Sequence, residues 1–186
     1  MTASVNNKSS YAFAQTMQRL WMDHAIWARQ YIIAAVDDRP ELTEALARWL
    51  RNAADVGAAL EEFYPRRPAR RVAKLLKQHI TVAVDLVDAA KNVDGAKFTA
   101  IDQVWTSNSD DLVDELCARD QSCSRDEVAA RWDLARALTE QVLTARLEQH
   151  FDHDVESFDQ LLTTCAAMGD LITDGILRQF ADRFAA

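Results

Sequence analysis

Six polar residues recur in two matched sets, and their types could do chemistry: His24, Asn52 and Asp55, then His79, Asn108 and Asp111. Around them the same pattern repeats. Ala34-Ala35, Trp49 and Leu60 in the first set correspond to Ala89-Ala90, Trp105 and Leu116 in the second. The offset is 55 residues before each set's turn and 56 after it, so one insertion at the loop aligns the copies. A repeat of this period marks a duplicated supersecondary unit. An imidazole beside a carboxylate forms an oriented, charge-assisted hydrogen bond. Two neutral imidazoles with two carboxylates also make a reasonable ligand set for zinc, iron or manganese.

Helical arithmetic brings the members of each set together. His24 lies 16 residues before Pro40 and Asp55 lies 15 after it. At 1.5 Å per residue both stand roughly 23 Å from the same turn. His79 and Asp111 have the same relation to Gly95. Asn52 and Asp55 are three apart, as are Asn108 and Asp111, which puts each pair on one side of a helix. The expected outcome is an internal layer of His24, Asn52, Asp55, His79, Asn108 and Asp111, with Trp27 and Arg29 close by. That layer would bind a small polar ligand, or a divalent metal through His24, Asp55, His79 and Asp111. The alternative is a structural or protein-interaction module in which the polar layer only fixes helix register. An enzyme using a His–Asp pair as general base has no substrate signature behind it.

Weaker candidates surround this layer. Glu148, His150, His153 and Asp154 gather near a turn, and the last three have i, i+3, i+4 spacing that could chelate a metal. Trp21, Trp27 and Tyr31 could form an aromatic wall. Arg29 could hold an anion or pair with Asp23 or Asp55. In a third copy the histidine position is Ala135 and the aspartate position is Ala166 or Ala167, with Asp159 and Asp170 within reach of the layer. The chain has no GxGxxG, P-loop, nucleophile elbow or HExxH, and it lacks the Glu-x-x-His pairs of di-iron bundles.

The elements that would position these groups are helical. Four Gly and three Pro in 186 residues, with abundant Ala, Leu, Glu and Arg, favour helix throughout. Residues 1–10 are expected to be a disordered tail, and residues 11–186 one helical-bundle domain. Breaks are expected at Asp37–Pro40, Tyr64-Pro65 and Asn92–Gly95. A capping box, Ser124 to Glu127, starts a fifth helix. The repeat spacing places one more break near Phe151-Asp152, with Asp152 as N-cap. The expected fold is an all-α, antiparallel up-and-down bundle of six helices. These form three hairpins, the first two an internal repeat.

Composition bounds the partners. A net charge of −8 argues against non-specific nucleic-acid binding. The basic run Arg66-Arg67, Arg70-Arg71 and Lys74 reads as solvated surface. No segment approaches the 18 apolar residues of a membrane span. Cys117, Cys123 and Cys165 read as free thiols of a cytoplasmic protein, and an amphipathic bundle could form a homodimer.

Four stretches carry a family resemblance. These are Trp21-x-x-His24-x-x-Trp27-x-Arg29, Asn52-x-x-Asp55-x-Gly57, Trp105-x-x-Asn108-x-x-Asp111 and Asp170-x-x-x-Asp174-Gly175-Ile176. Together they resemble a group of uncharacterised bacterial helical proteins, whose members often carry labels such as acetylglutamate kinase or glycosyltransferase. The resemblance covers nearly all of the chain beyond residue 15. It implies a helical bundle and no established activity. Both labels would require an α/β sheet with phosphate-binding glycines. The resemblance also implies a histidine in relatives where this chain has Ala135.

Overall fold

The computed structural model describes residues 3–120 and 123–184, with side chains described from Ser10 onward. Among these the protein is all-α, with seven helices and no strand. They are α1 (Ala3–Val36), α2 (Leu42–Glu61), α3 (Arg66–Lys91), α4 (Gly95–Cys117), α5 (Arg125–Leu147), α6 (Phe151–Gln179) and α7 (Ala181–Phe184). At 1.5 Å per residue, α1 is about 50 Å long. It packs on α2, α5 and α6, with lesser contacts to α3 and α7.

Apolar periodicity accounts for the buried faces. On α2 the buried positions are Ala45, Trp49, Asn52, Ala53, Val56, Gly57 and Leu60. On α3 they run from Ala69 through Val72, Leu75, Leu76, His79, Ile80 and Ala83 to Leu86 and Val87. Both series step by three and four, one stripe of a 3.6-residue helix. The polar members Asn52 and His79 lie within the stripe, which brings them into the core.

Three helix ends share one turn geometry. Asp38, Val93 and Gln149 have φ of 52°, 56° and 61°, the left-handed region. After each, an amide returns to a carbonyl five residues back: Arg39 to Ala34 at 2.9 Å, Asp94 to Ala89 at 3.0 Å and His150 to Ala145 at 2.8 Å. This is the Schellman closure of a helix end. The break between Leu147 and Phe151 falls where the repeat spacing predicts it.

Several expectations need correction. From Ala3 onward the expected tail belongs to α1, since extending an existing helix is cheap once a turn has formed; Met1 and Thr2 lie outside the described residues. Among the described residues there are seven helices rather than six. Phe180 leaves helical geometry after α6, and α7 follows. That bend lets Phe180 meet Phe63 and Tyr64 while Phe184 stacks on Phe63. His150, not Asp152, is the N-cap residue of α6. The Ser124 cap forms, its hydroxyl oxygen accepting from the Glu127 amide at 3.3 Å. The Glu127 carboxylate turns to Arg131 instead of back to the cap.

Cys117 and Cys123 form a disulfide across the α4–α5 connector, their Cα atoms 5.3 Å apart. Only Cys165 is free, and burial pushes its thiol up to about 12. The free-thiol argument for a reducing compartment therefore fails for two of the three cysteines. No helix among the described residues is long and apolar enough to cross a membrane.

A buried ion cluster clamps α6 and α5 to α1. Asp154, 1 % exposed, accepts two hydrogen bonds from Arg29, each 2.8 Å, and faces Arg146 at 3.5 Å. Arg146 also reaches Asp37 at 2.7 Å. Arg29 stacks over Phe158 and Arg146 over Phe151. A planar guanidinium suits both the bidentate bond and the ring face.

Two substitutions should move stability in opposite directions. Val93 holds a left-handed backbone with a β-branched side chain that is 90 % exposed. Val93→Gly relieves about 1 kcal/mol of strain and should raise Tm by about 2–4 °C. A Cβ on Gly57 would meet the Ala73 Cβ at 2.6 Å, where α2 and α3 cross. Gly57→Ala should therefore lose about 1–3 kcal/mol despite alanine's better helix propensity. Thermal and urea unfolding of the two variants check both signs.

Candidate functional site

His24 and His79 meet in the core, their ring centroids 6.0 Å apart. His24 is 8 % exposed and His79 is 4 % exposed. Four tryptophans surround the pair. Trp49 lies 5.5 Å from His24, and Trp105 lies 4.8 Å from His79. Trp132 touches both imidazoles, at 6.1 and 5.0 Å, and Trp21 meets Trp132 edge-on at 5.7 Å.

Each histidine is reached from the next helix in a matching way. Asn52 donates to the Leu20 carbonyl at 2.8 Å, and Asn108 donates to the Leu75 carbonyl at 3.3 Å. Those carbonyls lie one helical turn before His24 and His79. The indoles differ in detail. Trp49 donates to His24 Nδ1 at 3.3 Å, whereas Trp105 donates to the His79 backbone carbonyl at 3.1 Å. Accepting at Nδ1 leaves the proton of a neutral His24 on Nε2.

Burial governs the charge state. It lowers His24 to about 4, although the neighbouring Asn52 favours the protonated ring. His79 falls well below its ordinary value, first through burial and then through His24 and Arg136; Asn108 opposes the shift. Both rings are neutral at pH 7. Two neutral imidazoles can accept and donate hydrogen bonds, but they are weak bases.

The polar atoms around the pair are not all satisfied. The Asn52 and Asn108 amides hydrogen-bond toward the imidazoles, but Trp21 Nε1, Trp132 Nε1 and His79 Nδ1 are buried with no hydrogen-bond partner. Each such atom costs about 1–3 kcal/mol relative to water. Native cores keep such atoms few, and here three fall on residues in mutual contact.

The expected carboxylates do not join this layer. Asp55 is 42 % exposed and pairs with Arg48 at 3.6 Å. Asp111 is exposed and lines an open groove between α3 and α4 beside Lys74 and Lys77. Neither the height nor the azimuth holds. Trp49 meets His24 and Trp105 meets His79, so each aspartate, six residues further on, lies about 9 Å along its helix from the imidazole level. At 100° per residue, Asp55 and Asp111 also point roughly 120° and 145° away from the centres of their buried stripes. The metal set His24, Asp55, His79 and Asp111 is thereby corrected. No group of three or more metal-binding side chains exists among the described residues. Two imidazoles alone do not make the closed four-ligand sphere of a structural zinc site.

Other candidates also fall elsewhere. Trp27 lies beneath the Arg48 guanidinium at 5.3 Å, and Arg48 bridges to Asp23. Arg29 pairs with Asp154, not with Asp23 or Asp55. Tyr31 packs on Trp49 at 5.9 Å. His150 meets Glu148 at 3.3 Å and His153 at 5.7 Å between rings, while Asp154 is withdrawn into the clamp. Asp170 lies at the surface, accepting from Gln18 at 3.3 Å. Sequence reasoning missed Trp132. The signal was present, since Trp132 precedes Ala135 by three residues as Trp21 precedes His24.

The neutral pair imposes a measurable pH dependence. Unfolding returns each imidazole to about 6.5, so below that pH the unfolded chain binds protons that the native state refuses. Stability should be flat above about pH 7, fall as pH drops through 6.5, and keep falling to about 4. His24 alone contributes about 3 kcal/mol to this loss. Urea unfolding across this range, compared with His79→Phe, should show a shallower fall in the variant. No family model, curated protein or solved structure matches the chain.

Proposed function

We propose that the layer around His24 and His79 binds a small uncharged molecule carrying both hydrogen-bond donors and acceptors, of the amide or hydroxyl type. The observation that carries this reading is the set of three buried, unpartnered polar atoms on contacting residues. Trp21 and Trp132 offer donors, and His79 Nδ1 offers an acceptor. A guest matching that set removes a desolvation cost that the protein otherwise carries. An ionic guest is disfavoured by the same burial that keeps both imidazoles neutral.

The layer is read as the meeting point of two copies of a duplicated antiparallel hairpin, with a third hairpin closing it. The pairs His24–Trp49 and Leu20–Asn52 support this, as do His79–Trp105 and Leu75–Asn108: later residues on one helix meet earlier ones on the other. The left-handed residues Asp38, Val93 and Gln149 recur at the same spacing of 55 and 56. Under this reading the chain is a divergent member of the helical family that its motifs resemble.

The register-fixing alternative is favoured by a different observation. The side-chain hydrogen bonds of Trp49, Asn52, Trp105 and Asn108 each bridge neighbouring helices, which is what a register lock would require.

His79→Phe separates the two readings, because it keeps ring volume and the backbone carbonyl used by Trp105. For a binding layer, the variant should be as stable as the parent or more so above pH 7. It should also lose the saturable change in tryptophan emission that acetamide or glycolamide produces in the parent. A loss of about 1–3 kcal/mol, with no saturable response in the parent, would assign the layer to register alone.

A further inference from the structure

A second site lies away from the imidazole pair, where the ends of α2, α4 and α6 meet the starts of α3 and α5. A cavity of about 200 Å³ opens there, walled by Leu60, Val72, Leu116, Val128, Leu171 and Ile172. A dry apolar cavity of roughly 150 Å³ already admits benzene. Cys123 also lines it, so the Cys117–Cys123 disulfide tethers one wall and the space is formed before any ligand arrives.

Two carboxylates at its edge, Glu115 and Glu127, are already paired. Glu115 is held by Arg71 and Arg119, each at 2.8 Å, and Glu127 by Arg131 at 2.9 Å. The Tyr64 hydroxyl donates to Gln179 at 2.8 Å. A cationic ligand would have to break these ion pairs to reach either carboxylate. Ser124 is different: its oxygen accepts from the Glu127 amide, which leaves the hydroxyl proton to donate outward.

We propose that this cavity binds a small neutral, largely apolar molecule, such as a single- or fused-ring aromatic with at most one hydrogen-bonding group. The apolar walls supply the binding free energy, and the Ser124 hydroxyl orients the ligand's polar atom. The site is independent of the layer proposed above, which takes a polar guest.

The test is a methyl-labelled NMR titration of the disulfide-bonded protein with indole, benzene and benzoate. Indole and benzene should saturate, with intermolecular contacts to the methyls of Leu60, Val72, Leu116 and Ile172. Benzoate should bind at least tenfold more weakly. Leu116→Phe and Ile172→Phe, which fill the space, should each weaken indole at least tenfold while keeping the parent's circular dichroism. Absence of saturation in the parent overturns the proposal whether or not the variants fold. So do contacts to the Trp132 or His79 rings instead of these methyls, or tighter binding of benzoate than of indole.

Discussion

The two central imidazoles must stay uncharged, and the arrangement of the core follows from that constraint. A charged ring at His79 would face His24 at 6.0 Å between centroids, with Arg136 adding further repulsion and no carboxylate in the layer to offset it. Burial therefore selects the neutral form of both rings. Neutral rings pack as aromatics, which explains why four tryptophans can close around them. The same rings remain polar, so each indole and amide placed beside them must find a partner or go without. Core packing and unsatisfied hydrogen-bonding capacity thus have one origin.

The charges that the layer excludes are gathered elsewhere. Asp154 is as deeply buried as any core residue, yet Arg29 satisfies it with two bonds and Arg146 approaches from α5. A buried carboxylate is tolerable only with that degree of pairing. The clamp joins α1, α5 and α6, whereas the imidazole layer joins α1, α2, α3 and α4, with Trp132 reaching in from α5. Helix α1 carries a member of each, Arg29 and His24, five residues apart. Its length lets one element register both halves of the molecule.

The helices and the contact of His24 with His79 were legible in the sequence because both depend on spacing along a helix axis. The Trp49 and Asn52 partners of His24, and Trp105 and Asn108 of His79, were legible for the same reason. The aspartates were misplaced because the hairpins pair His24 with Trp49 and His79 with Trp105, six residues short of each aspartate, and because 60° of rotation past Asn52 and Asn108 carries both from core to flank. The Arg29–Asp154 pair links positions 125 residues apart. No local pattern encodes such a contact. The disulfide depended on Cys117 and Cys123 lying 5.3 Å apart between Cα atoms, which spacing along the sequence alone does not specify.

Trp132 completes the core around the imidazoles from α5. At the repeat positions three before each reference residue stand Trp21, Leu76 and Trp132; at the reference positions stand His24, His79 and Ala135. A third imidazole at position 135 would add another polar ring to a layer that already has unpartnered atoms on Trp21, His79 and Trp132. Alanine there removes that demand. The Trp132 ring meanwhile contacts both existing imidazoles. A third imidazole would favour a cation; Trp132 instead presents a large apolar surface with a single donor to two rings that burial keeps neutral.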